Sequence, residues 1–138
     1  MVDANILLDS LVLESDGSPR SGKQASDVLL DLCDQGVQHG LVAWHTLPIV
    51  AYYYRRQHST IETGAMMNSL VAFLEVPTVG HQEAARWRTH GISDFEDALQ
   101  MAAAIAGRAE VFVTRNKADF QLSPLPVMTP EAFLTAYH

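Results

Sequence analysis

The chain has 138 residues, 48% of them hydrophobic, with a formal net charge of −7. That length and apolar fraction allow one domain with a buried core, spanning residues 1–138, and exclude wholesale disorder. The single cysteine, Cys33, excludes an internal disulfide; with no basic-then-apolar leader and no membrane-length apolar run, a cytoplasmic protein is expected.

Met1-Val2 lead into Asp3, which predicts a very short first strand followed by a turn and a helix through Ile6-Leu7-Leu8. A central strand ordinarily has four or five residues before its end. Either this strand is stunted or the true start lies upstream of Met1. Glu14 to Gly22 is a polar surface loop. A helix is predicted over 21–35, with Ala25, Val28, Leu29 and Leu32 on its apolar face and Gly36 as its stop. Cys33 falls in that apolar run, as a buried and inert thiol.

Leu41 to Trp44 reads as a buried strand. Thr46 then caps a helix with Pro48 in its first turn, running through Tyr52, Tyr53 and Tyr54 to Arg55-Arg56. Ser59 and Glu62 have capping-box spacing for a helix reaching Leu74. Val76 to Val79 is a short strand and His81 to His90 a helix stopped by Gly91. Ser93 with Glu96 makes a second capping box, opening an Ala-rich helix over 94–106. Glu110 to Thr114 and Leu125 to Met128 complete the strands, and Thr129-Pro130-Glu131 starts a terminal helix. Short apolar strands alternating with helices predict an α/β fold, a three-layer α/β/α sandwich around a mostly parallel sheet of four to five short strands.

Ligands of open parallel sheets bind beyond the carboxyl ends of the strands. Asp3 ends the first strand there, and Thr114, Asn116 and Asp119 follow the strand at Val111 to Val113. Asp94 and Asp97, three residues apart, share a face in the first turn of the helix between them. Any one of these acids has an ordinary explanation as a cap, a turn residue or a partner of the helix dipole, and Glu96 is assigned to capping. Jointly placed, they would repel and take up protons unless a cation held them, and oxygen-only ligands point to Mg²⁺ or Mn²⁺. Part of the −7 balance would then belong to the site rather than argue against nucleic acid.

Three segments carry a family resemblance: 2–9 (Val2-Asp3-Ala4-Asn5), 94–100 (Asp94-Phe95-Glu96-Asp97-Ala98-Leu99-Gln100) and 114–120 (Thr114-Arg115-Asn116-Lys117-Ala118-Asp119-Phe120). In this order they resemble the successive signatures of PIN domains, whose small stand-alone members are often VapC-like toxins. The resemblance implies Mg²⁺- or Mn²⁺-dependent hydrolysis of RNA phosphodiester bonds, an antitoxin protein as partner, and a homodimer. It implies that Asp3, Asp97 and Asp119 are catalytic metal-binding acids, with Asp94 an auxiliary metal acid. Asn5, Thr114 and Asn116 would support them. It departs from many active members at 44–51, where the helix after the second strand carries no glutamate, as in a subgroup reading His-Thr-Leu.

His45 is a candidate to contact the scissile phosphate or to stand in for that glutamate. The other histidines, at 39, 58, 81, 90 and 138, lack zinc-like spacing. Arg55, Arg56, Arg115 and Lys117 are the candidate RNA contacts, with Arg20 and Lys23 bordering the polar loop, because phosphate needs cations. Helical spacing puts the three tyrosines on different faces, so at least one is expected in the core and another free to stack bases or join a dimer. Two other functions compete. One is a PIN-like module that binds RNA or a protein partner without cleaving. The other is a phosphatase of the haloacid-dehalogenase class, which needs a second aspartate where Asn5 stands.

Overall fold

Residues 1–137 are described in a computed structural model; His138 lies outside the described residues. The predicted first strand is a single bridging residue. Val2 pairs in parallel with both Val42 and Val113. The Val2 N–H donates to the Leu41 carbonyl at 2.8 Å and the Asp3 N–H to the Val113 carbonyl at 3.0 Å. Helix α1 (Ala4–Leu11) starts directly after Asp3 and is followed by the polar loop and α2 (Lys23–Asp34). The buried face of α2 is Ser26, Leu29, Leu30, Leu32 and Cys33, whereas Val28 is exposed. Gly36 closes it at φ +71°, a left-handed conformation that glycine adopts without strain.

Strand β1 (Gly40–Leu41) is shorter than predicted, because the chain turns away at Ala43 and leaves Trp44 70% exposed. Helix α3 (Thr46–Arg55) follows; Tyr52 and Tyr53 are exposed and Tyr54 half-buried against His58, so none of the three is core. Both bonds of the Ser59–Glu62 capping box form at the start of α4 (Thr60–Phe73). The strand expected at Val76 to Val79 lies earlier, as β2 (Leu74–Glu75). The helix expected over 81–90 breaks at Arg86 into α5 (His81–Ala85) and a 3₁₀ turn at Trp87–His90. Helix α6 (Phe95–Ala106), β3 (Phe112–Val113), a second 3₁₀ turn at Lys117–Phe120, β4 (Val127–Met128) and α7 (Pro130–Tyr137) complete the order.

The fold is α/β, but the expected central sheet of four to five strands is not one continuous ladder. β1 pairs in parallel with β2, and β3 in parallel with β4, two residues each, with Val2 bridged between the pairs. Such short ladders contribute few hydrogen bonds, so packing of the flanking helices carries the stability. Side chains alternate along an extended chain. Val2, Val42 and Val113 therefore join one core with Ile6, Leu7, Leu29, Val50 and Leu70. Met1, Leu41, Ala43 and Phe112 join another with Ala98, Met101, Ala103 and Ala104. Ala98, Ala103 and Ala104 of α6 pack in one cluster with Phe112 of β3, and Gln100 of the same helix reaches Asp3. Among the described residues, no helix is long and apolar enough to cross a membrane.

Candidate metal centre

Asp3 sits where extended backbone passes into α1, at φ −74° and ψ 156°. Its side chain does not cap that helix. The carboxylate, 4% exposed, instead accepts from Thr114 Oγ1 at 2.6 Å, Asn5 Nδ2 at 2.5 Å and Gln100 Nε2 at 3.0 Å. All three donors are neutral. Burial pushes the carboxyl above its ordinary value, against the opposing hydrogen bonds from Thr114 and Gln100.

The first turn of α6 brings further negative charge. Carboxylate oxygens of Asp94, Glu96 and Asp97 lie within 4.8 Å of one another. Asp94 is the N-cap of α6, accepting from the Asp97 N–H at 3.0 Å, so the Ser93–Glu96 capping box predicted for this helix does not form. A carboxylate one residue closer to the helix outcompetes the serine, because the positive end of the helix dipole favours the charged acceptor. Glu96 is thereby released from capping. Its Oε1 accepts from Gln100 Nε2 at 2.9 Å and lies 3.2 Å from His45 Nε2.

Asp97 is pushed up to about 7, by burial and then by the charges of Asp3, Glu96, Asp94 and Asp119 in that order. The other three acids predicted for the site, Asp3, Asp94 and Asp119, thus all act on Asp97. Asp119 is exposed on the 3₁₀ turn after β3, where Asn116 Nδ2 donates to its Oδ2. Thr114 Oγ1, besides donating to Asp3, accepts from Asn5 Nδ2 at 3.1 Å and from the Asn116 N–H at 3.0 Å. Asn5 Oδ1 in turn accepts from the Arg115 N–H at 3.3 Å. Asn5, Thr114 and Asn116 therefore form one hydrogen-bonded bracket between α1 and the loop that carries Asp119.

The candidate RNA-contacting cations separate. Arg55, Arg56 and Lys117 are exposed and make no ion pair among the described residues. Arg115 is engaged: its Nη1 donates to Asp9 at 2.8 Å and its Nη2 to Ser21 at 3.0 Å. Two residues of the centre escaped the sequence reading. Glu96 was hidden by its capping-box spacing, and Gln100 by its place in an apolar helix. Glutamine four residues beyond Glu96, on the buried side of an Ala-rich helix, was the available signal.

A family model described as PIN domain matches residues 1–118. The chain belongs to the PIN domain family. Neither a curated protein nor a solved structure matches it. PIN domains are nucleases that typically use divalent metals, and the match includes Asp3, Asp94, Glu96, Asp97, Thr114 and Asn116, ending one residue before Asp119. The residues present in this PIN domain fit such an ion. The donors are all oxygen, as a hard divalent cation takes. A half-buried carboxyl surrounded by four others needs either a proton or a cation. The buried Gln100 Oε1 has no hydrogen-bond partner.

Proposed function

We propose that this PIN domain is a metal-dependent endoribonuclease hydrolysing RNA phosphodiester bonds, the VapC-like toxin of a toxin–antitoxin pair, cytoplasmic and homodimeric. The observation that carries the reading is Asp97, whose carboxyl is pushed up to about 7 by burial and then by the charges of Asp3, Glu96, Asp94 and Asp119, with no basic side chain pairing with it among the described residues. Asp3, Asp97 and Asp119 would hold Mg²⁺ or Mn²⁺, with Asp94 as an auxiliary acid. When bound, the cation supplies Lewis-acid polarisation of the phosphate and a water acidic enough to attack near neutral pH.

The chain's own residues prepare that chemistry. Thr114, Asn5 and Gln100 fix the direction of the Asp3 carboxylate, and Asn116 restrains Asp119. Arg55, Arg56 and Lys117 offer exposed cations to the phosphates flanking the scissile one. His45, half-buried beside Glu96, stands at the entrance to α3.

A second reading is a PIN module that binds RNA or a protein partner without cutting, favoured by the absence of any acid from the first turn of α3. Purified protein incubated with structured and single-stranded RNAs, with Mn²⁺, Mg²⁺ or EDTA, separates the two. Cleavage that needs metal and disappears in Asp97→Asn supports the nuclease. Equal cleavage by both proteins refutes the assigned site, and metal-independent RNA binding without cleavage supports the binding module.

A further inference from the structure

Gln100 is 0% exposed in the middle of a helix whose other buried residues are alanines and Met101. Its Nε2 is shared between two carboxylates, Asp3 Oδ1 at 3.0 Å and Glu96 Oε1 at 2.9 Å, while its Oε1 is buried without a partner. An orphaned buried amide oxygen is costly, because its hydration is lost and not replaced. A methionine would fill nearly the same volume without that penalty. Packing therefore does not account for the glutamine; its two acidic partners do.

Glu96 is held from two sides by the same oxygen. Gln100 approaches Oε1 from one turn along α6, and His45 Nε2 approaches it at 3.2 Å from the start of α3, also lying 3.2 Å from the Glu96 carbonyl. No hydrogen bond occupies Glu96 Oε2 among the described residues, and Glu96 lies within the 4.8 Å cluster with Asp94 and Asp97. His45 belongs to the segment whose helix lacks an acid in its first turn.

We propose that Gln100 is a positioning residue that ties Glu96 to Asp3 and so recruits Glu96 as a further carboxylate of the metal centre, on the side where α3 supplies none. The amide bridges the two carboxylates by donating to both. The inference rests on the metal-dependent reading above and concerns which acids complete it.

Calorimetric titration of the metal-free protein with Mn²⁺ alone tests it, without requiring turnover. Glu96→Gln and Gln100→Met should each weaken Mn²⁺ binding by about tenfold. The double variant should be no weaker than Glu96→Gln, since Gln100 acts through Glu96. Thermal unfolding of the metal-free variants reports whether the fold is kept. If Gln100→Met fails to fold, Glu96→Gln on the partly exposed first turn carries the test, and wild-type affinity there overturns the proposal. So does wild-type affinity in Gln100→Met, or full additivity in the double variant. Wild-type protein that takes up no Mn²⁺, or Asp97→Asn that binds it equally, overturns the metal reading as well, which keeps the two failures distinct.

Discussion

Two aspartates at either end of the same helix meet opposite fates. Asp3 and Asp9 are each 4% exposed. Asp9 is compensated by charge: Arg115 Nη1 lies 2.8 Å from one carboxylate oxygen and Arg20 Nη1 3.8 Å from the other. The loop is drawn in so closely that a methyl group on Gly22 would collide with Asp9 Oδ2 and Arg115 Nη1. Asp3 receives only neutral donors and faces further acids. A buried carboxylate paired with arginines is compensated within the chain; one left without a cation among other acids is the arrangement that a bound cation would relieve. Equal burial thus conceals one acid that arginines compensate and one that no cation compensates.

The largest expected contrast is in activity. Asp97→Asn should lower metal-dependent RNA cleavage roughly 10³-fold, since a metal's charge stabilisation is worth several kcal/mol. Asp9→Asn, assayed where it is folded, should retain most of the rate. A comparable loss in both would erase the distinction.

Stability should respond in the opposite sense. Asp9→Asn leaves Arg115 and Arg20 without their anion and should cost about 1–3 kcal/mol in urea unfolding, Arg115 being partly exposed and able to hydrate. Gly22→Ala should fall in the same range, about 1–3 kcal/mol, through overpacking against that pair. Asp97→Asn should instead stabilise the metal-free protein at pH 8 by removing a charge repelled by four others.

The pH dependence follows from the same asymmetry. Asp3 and Asp97 are both raised in the folded state, Asp97 to about 7. The folded protein therefore holds their protons more tightly than the unfolded chain does. For Asp97 the stability this confers is fully present below about pH 4 and is lost as pH climbs through about 7; the Asp3 contribution has the same sign. The buried amino terminus, lowered to about 6, acts in the reverse direction between about pH 6 and 8. Melting curves of wild type and Asp97→Asn, recorded without metal over this range, isolate the Asp97 contribution as their difference. Saturating Mn²⁺ should shrink that pH drift in wild type. The smallest effect belongs to Arg20→Met: its contact with Asp9 is long, at 3.8 Å, and should contribute about 0.5 kcal/mol or less.

Local signals were legible where the interacting residues lie within a turn of one another. The Ser59–Glu62 box, the stop at Gly36 and the start of α7 at Pro130 needed only neighbouring residues to form. That the segments carrying Asp3, Asp97 and Asp119 approach one another was legible as well, because the ends of strands and helices announce which residues face a common edge; the family match covers residues 1–118. The pattern failed where two local solutions compete or where a partner arrives from far along the chain. Ser93 and Asp94 both offer a cap to α6, and spacing alone does not say that the carboxylate takes it and frees Glu96. Nor does it say that Trp44 turns outward, that Gln100 reaches Asp3 on another element, or that Arg115 is committed to Asp9. By itself, then, the sequence determined most of the helices, the family and the acids that gather around Asp97. Only the tertiary structure decided which acids are compensated and which remain unbalanced, because charge compensation depends on through-space approach between segments about a hundred residues apart.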